Sequence, residues 1–206
     1  MFTRTTTVTA ASEAIDRGIA NVRDEVMPAV MKMPGFVGVS MLVDRMSGRC
    51  IVTTAWESAD TMRDSRQKVM SLRDQAVSAM QGTAEVDEWE VAVMHRKHDT
   101  HEGACARVAR FRMDPSNADH GIDVYRMVAL PRMDDLEGFC SASLMVNRET
   151  GMAVSTAAYE SREAMQHTMD QVQQLRTRVT EEAGAELISV EEYDLVLAHL
   201  HMPEMA

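Results

Sequence analysis

A guanidinium on a half-buried strand needs an anion or a route to water, because burying an unpaired charge is expensive. Arg110 stands on such a strand pattern and could hold a phenolate or face water at an edge. Trp56 and Tyr159 close two equivalent strand patterns, where a ring could wall a cavity between sheet and helix or simply pack. Arg45 and Arg148 sit in two equivalent turns, placed to meet an anionic substrate or to solvate the turn. His95, His98 and His101 recur every third residue, and His199 and His201 lie near the C-terminus. That spacing matches no zinc pattern, so no metal is expected. The chain has no G-x-S-x-G, no P-loop and no G-x-G-x-x-G, which leaves hydrolase, nucleotide and dinucleotide chemistry without support. No catalytic residue is identified by spacing alone.

Composition narrows the partners. A formal net charge of -11, with arginines dispersed among acids, opposes phosphate backbones and anionic lipid surfaces, so neither nucleic acid nor membrane is expected. No apolar run reaches the roughly 20 residues needed to cross a bilayer, and the N-terminus has no secretory pattern, which points to the cytoplasm. Cys50, Cys105 and Cys140 are an odd number with no shared repeat positions, and are expected to be reduced core thiols.

The elements that position these residues come in two copies. Sliding the chain by 103 positions aligns twenty identical residues, among them Asp16/Asp119, Pro28/Pro131, Gly35/Gly138, Arg45/Arg148, Gly48/Gly151, Ser58/Ser161 and Arg73/Arg176. A repeat this long is a whole module rather than a solenoid turn. Residues 1–96 form the first module, 97–103 a linker, 104–200 the second module and 201–206 a tail. In the first, Thr3 to Thr9 reads as a strand. Ser12 is placed to cap a helix whose apolar face carries Ile15, Ile19, Val22, Val26, Val30 and Met33. Phe36 to Val43 and Arg49 to Trp56 form a hairpin, Ser58 caps a second helix, and Glu85 to Met94 closes the module. The second repeats the order, with Asp114-Pro115 as its first cap.

The order β-α-β-β-α-β is the ferredoxin-like motif of the α+β class. Strands apolar on both faces imply that each sheet is covered on its second side. Two modules packed sheet to sheet within one chain satisfy this as an intrachain pseudo-dimer, with further homodimer formation left open.

Met33-Pro34-Gly35-Phe36 with Trp56-Glu57-Ser58, and Leu136-Glu137-Gly138-Phe139 with Tyr159-Glu160-Ser161, resemble the antibiotic biosynthesis monooxygenase family of dimeric α+β barrels. The resemblance implies a barrel that takes a small hydrophobic, aromatic or polyketide-like molecule and oxidises it without a cofactor. It also places Thr7 and Arg110 where the family touches its ligand. Members of this family also degrade haem, using an Asn, a Trp and a His at places held here by Thr7/Arg110, Ser65/Thr168 and Asp74/Thr177. Those substitutions argue against haem, and His167 lies about ten residues before the ligand's place. The rival expectation is a binding or scaffold barrel with no turnover.

Overall fold

The computed structural model describes residues 1–101, 103–200 and 204–205. Glu102 and His201, which belong to the histidine pattern, lie outside the described residues, and of the tail 201–206 only Glu204 and Met205 are described.

The first repeat forms strand β1 (Phe2–Thr9), helices α1 (Ile15–Asn21) and α2 (Met27–Val30), strands β2 (Phe36–Asp44) and β3 (Arg49–Trp56), helices α3 (Ala59–Asp64) and α4 (Arg66–Ala79), and strand β4 (Thr83–Arg96). The second forms β5 (Cys105–Arg112), α5 (Ala118–Val124), α6 (Leu130–Asp134), β6 (Phe139–Asn147), β7 (Met152–Tyr159), α7 (Arg162–His167), α8 (Met169–Ala183) and β8 (Glu186–Leu200). Along their hydrogen bonds the strands follow the order β1-β3-β2-β8-β5-β7-β6-β4, a closed antiparallel barrel of the α+β class. By packing, the chain divides into two compact units. One contains Met1–Trp89 and residues 195–200, the other Glu90–Asp194 with Glu204 and Met205.

Within each unit the central strand is the third in chain order of its repeat. β3 pairs antiparallel with both β1 and β2, and β7 with both β5 and β6. The hairpin turns depend on Gly48 and Gly151, at φ +75° and +70°. A Cβ at Gly48 would also fall 2.5 Å from the Ala10 carbonyl oxygen, so no other side chain fits.

The long first helix expected in each repeat is interrupted. Residues Val22–Val26 and Tyr125–Ala129 take π-helical turns, with Met27 N–H bonding Val22 O and Leu130 N–H bonding Tyr125 O. The cause is Pro28 and Pro131, which carry no N–H and clash with the carbonyl four residues back, so the ladder widens just ahead of each. Ser12 does not cap. Its segment opens as a short 3-10 turn whose N-cap is Ala11, with no side-chain bond. Asp114, Ser58 and Ser161 do accept from the backbone at their helix starts.

The second helix of each repeat also breaks, at Ser65 and Thr168. Each hydroxyl donates to the carbonyl three residues back, Met62 O at 2.7 Å and Met165 O at 3.0 Å. The same carbonyls receive Arg4 Nη2 at 2.8 Å and Arg107 Nη2 at 3.0 Å. A break in helix geometry therefore seats a buried arginine in each unit.

One apolar core lies in each unit. Trp56, Met41, Val22, Met62 and Met80 are central to the first, and Tyr159, Phe139, Tyr125, Leu144 and Met165 to the second. The three cysteines are free and buried, and burial raises each thiol, Cys50 to about 11.

Candidate functional site

Each unit has a cavity between its sheet and the helices that cover it, lined largely by equivalent positions. In the second unit it measures about 70 Å³ to the centres of water-sized spheres, against about 30 Å³ in the first. Strand β5 contributes Arg107, Ala109 and Phe111, and helix α8 contributes Val172, Arg176, Val179 and Ala183. The matching residues of the first unit are Arg4, Thr6 and Val8 on β1 and Val69, Arg73, Ala76 and Met80 at or just beyond α4.

Size follows from one exchange above all. Met80 is fully buried and fills the space beside Gly18, where a Cβ would fall 2.4 Å from Met80 Cγ. Its counterpart is Ala183. The second cavity also gains a polar edge, because Val22 and Val52 are replaced by Tyr125 and Ser155, whose hydroxyls lie 3.0 Å apart. Burial pushes the Tyr125 phenol up to about 12, with the Ser155 bond opposing it, so the group stays neutral.

The two units also differ in how their paired arginines are satisfied. Arg4 donates through Nε and Nη2 to Glu88 Oε1 at 3.0 and 2.9 Å, and through Nη1 to Ser65 Oγ at 3.1 Å. Arg107 donates to Glu192 Oε1 through Nε and Nη2 at 3.1 and 2.8 Å, but its buried Nη1 has no partner. Arg73 bonds Asp74 Oδ1 at 3.1 Å. The guanidinium of Arg176 makes no hydrogen bond or ion pair among the described residues, since Thr177 replaces that aspartate. Burial, then repulsion from Arg107, lowers the Arg176 pKa.

Tyr159 completes the cluster. Its ring lies 5.8 Å below Arg107 Cζ, and its buried hydroxyl has no hydrogen-bond partner. In the first unit Trp56 takes this place and donates Nε1–H to Thr54 Oγ1 at 3.2 Å, an acceptor lost in the second unit, where Ala157 stands. Burial raises the Tyr159 pKa against the opposing pull of Arg107, Thr168 and Arg176, so the phenol remains a donor at neutral pH.

Of the residues singled out by sequence, Tyr159 joins this cluster and the others fall elsewhere. Thr7 is buried with an unpartnered hydroxyl, and Arg110 has an unpartnered Nε, yet neither lines either cavity. Alternation along the strand gives the cavity to Thr6 and Val8, and to Ala109 and Phe111. Trp56 and Tyr159 are core residues with no exposure, edge-on to Phe36 and Phe139. Arg45 bonds Asp16 at 2.7 Å, and Arg148 bonds Asp119 at 2.7 Å and Glu90 at 2.6 Å, all on the surface. Both turn arginines thus tie a hairpin to the first helix of their repeat. Arg107 and Arg176 were overlooked as site residues, although each is identical to its repeat partner.

His95 is held between two carboxylates, with Nδ1 2.6 Å from Glu204 Oε1 and Nε2 2.9 Å from Asp134 Oδ1, and it stacks on Phe139. Among the described residues no group of three His, Cys, Asp or Glu side chains could hold a metal ion. Among them also, no helix is long and apolar enough to cross a membrane.

No family model matches the sequence. Over 205 residues, 100% of this chain and 92% of the relative, it is 48% identical to the uncharacterized protein Rv2557 of Mycobacterium tuberculosis H37Rv. The chain belongs to that protein's family. Among solved structures it is similar to a candidate monooxygenase of Lactobacillus acidophilus NCFM, at a TM-score of 0.70 and 12% identity over 97% of this chain and 96% of the other. An anthrone oxidase-like protein matches at a TM-score of 0.68 and 13% identity, covering 100% and 95%. A ferredoxin-fold protein of Listeria monocytogenes, related to antibiotic biosynthesis monooxygenases, matches at 0.54 and 8%, covering 95% of each. These likenesses show the fold, a dimeric-type α+β barrel of ferredoxin-like modules.

Proposed function

We propose that the chain is a cofactor-independent monooxygenase of the antibiotic-biosynthesis type, acting on a small aromatic or polyketide-like molecule held in the second unit's cavity. The observation that carries this reading is the asymmetry of the two cavities. One is packed by Met80, while the other is open beside Ala183 and walled by Tyr125, Leu144, Val172 and Leu175. The names given to structural neighbours, a monooxygenase and an anthrone oxidase-like protein, support the reaction class.

The chemistry suits such a lining. An activated methylene that loses a proton becomes an electron-rich enolate able to reduce dioxygen. The methylene ends as a carbonyl, with one oxygen atom kept in the product and the other released as water. No carboxylate or imidazole lines the cavity, so the substrate gives its proton to bulk water before it enters, and the positive edge favours the ionised form once bound. Apolar walls exclude water from the reactive anion and fix its orientation.

Oxygen uptake by the purified protein with a dihydroxylated anthrone or a naphthol tests the proposal. Uptake is expected, with Arg176→Met reducing it about tenfold as anion stabilisation is lost. Arg110→Ala and Trp56→Phe are assayed alongside. Loss with these and not with Arg176→Met would move the reaction out of the cavity. No uptake with any substrate leaves the binding-barrel reading. The packed cavity of the first unit already favours a scaffold role for that half.

A further inference from the structure

Arg107 is 4% exposed, and its Nη1 carries two N–H groups that bond nothing. Natural proteins rarely leave buried donors unpaired, because each forfeits its bonds to water. Arg176 borders the same cavity and makes no ion pair among the described residues, and Tyr159, whose ring packs under Arg107 just behind the cavity lining, carries a buried hydroxyl without a hydrogen-bond partner. The first unit shows that the fold does not require this. There Ser65, Asp74 and Thr54 satisfy the equivalent groups. In the second unit the Asp74 carboxylate and the Thr54 hydroxyl are gone, replaced by Thr177 and Ala157. Thr168, in the place of Ser65, gives its hydroxyl to Met165 O and takes nothing from Arg107, while both arginines are kept.

The charges add up in the same direction. Glu192 is the one carboxylate bonded to Arg107, and it is shared with Gln166 at 2.5 Å and approached by Arg162 at 3.9 Å. Two guanidiniums against one shared carboxylate leave the cavity edge positive.

We infer that Arg107, Arg176 and Tyr159 form a subsite for the carboxylate of a small apolar acid whose ring or chain lies in the cavity. A carboxylate presents two oxygens and about four acceptor positions in one plane, matching a donor set drawn from two guanidiniums and a phenol. A single phenolate oxygen would leave several of these donors unpaired. This inference rests on the proposed use of the cavity and adds a permanent anionic group to the substrate, separate from the carbon that reacts.

Calorimetric titration with benzoate, benzamide and 4-nitrophenolate tests it. Benzoate is expected to bind at least tenfold more tightly than either of the others. Arg176→Met should remove that preference and leave benzamide binding unchanged, whereas Arg73→Met in the first unit should change neither. Arg107→Lys keeps the charge where full removal could unfold the unit, and is expected to weaken benzoate several-fold. Equal binding of benzoate and benzamide overturns the subsite but not the cavity, and oxygen uptake would then stand on its own. Tighter binding of 4-nitrophenolate overturns the carboxylate assignment in favour of a single-oxygen anion. Failure of all three to bind overturns the subsite together with any ligand role for the cavity.

Discussion

Met80 and Ala183 hold the same place in two copies of one fold, and the surroundings of each have adjusted to it. Around Met80 all three guanidinium nitrogens of Arg4 find acceptors, Arg73 is paired with Asp74, the strand-end aromatic has an acceptor, and the cavity is small. Around Ala183 an arginine and a tyrosine keep unpaired donors, and the cavity is more than twice as large. Duplication makes the first unit an internal reference for the second. Features present in both, such as the π turns and the buried arginines, belong to the fold. Those present only in the second need another explanation, and a ligand supplies one.

Exchanging the two residues is the strongest way to break this comparison. Met80→Ala removes a fully buried side chain and should cost about 3 kcal/mol, read by urea unfolding. Ala183→Met runs the other way, placing the longer side chain in the open cavity beside Met113, which already packs over Gly121. It should stabilise by about 1 kcal/mol through apolar burial, less the side-chain entropy, while abolishing ligand binding and oxygen uptake. If Ala183→Met still turns over, the cavity is not where the substrate lies.

Much of the fold was readable from residue types. Ser58 and Ser161 cap because a short hydroxyl side chain ahead of an apolar periodic run can reach an orphan N–H. Gly48 and Gly151 mark turns because no other residue takes their φ cheaply. The site was harder to read for two physical reasons. A strand turns alternate residues to opposite faces, so Arg110 lies one position from a cavity residue and on the wrong side. Identity between repeats, the signal used to weigh Arg45 and Arg148, also marks surface pairs such as those with Asp16 and Asp119. The informative signal was a retained arginine whose partner had changed, as in Asp74 to Thr177 and Ser65 to Thr168. Reading it requires knowing which residues touch.

A protonation-dependent contact sharpens the contrast further. In the second unit His95 is gripped by Asp134 and Glu204, while the repeat partner of Asp134 is the exposed Met31. Burial pulls the His95 pKa down, but the bonds to Asp134 and Glu204 outweigh it and raise the net value. The bond from His95 in turn holds the Asp134 carboxyl below its usual range, with help from Lys97 and His98. A raised histidine pKa means stability that is fully present below an ordinary value of about 6.5 and lost as pH climbs through the folded value. The lowered carboxyl contributes above about 4 and is lost on acidification. An NMR titration should therefore place the His95 midpoint above about 6.5, and Glu204→Gln should lower it. A midpoint indifferent to Glu204→Gln would mean the contact with the C-terminal segment does not form in solution.

The smallest effect concerns how the second helix of each repeat ends. Both ends are Schellman motifs. Gly82 N–H bonds Val77 O at 3.2 Å and Gln81 N–H bonds Ser78 O at 3.0 Å, as Ala185 bonds Thr180 O at 2.9 Å and Gly184 bonds Glu181 O at 3.3 Å. The residue that reverses the chain is left-handed in both, Gln81 at φ 50° and Gly184 at φ 62°. A side chain in that conformation costs about 1 kcal/mol, and glycine returns roughly half of this through its freer unfolded state. Gln81→Gly should thus stabilise by about 0.5 kcal/mol. A Cβ at Gly184 would meet nothing nearer than Asn117 Nδ2 at 3.9 Å, so Gly184→Gln suffers only the conformational cost and should destabilise by a similar amount. Equal and opposite shifts in the urea midpoint, with unchanged slopes, would show the two helix ends to be interchangeable. The difference between the units would then lie in their cavities rather than in the frame around them. Unequal shifts would place part of it in the turn that carries Met80 and Ala183 into position.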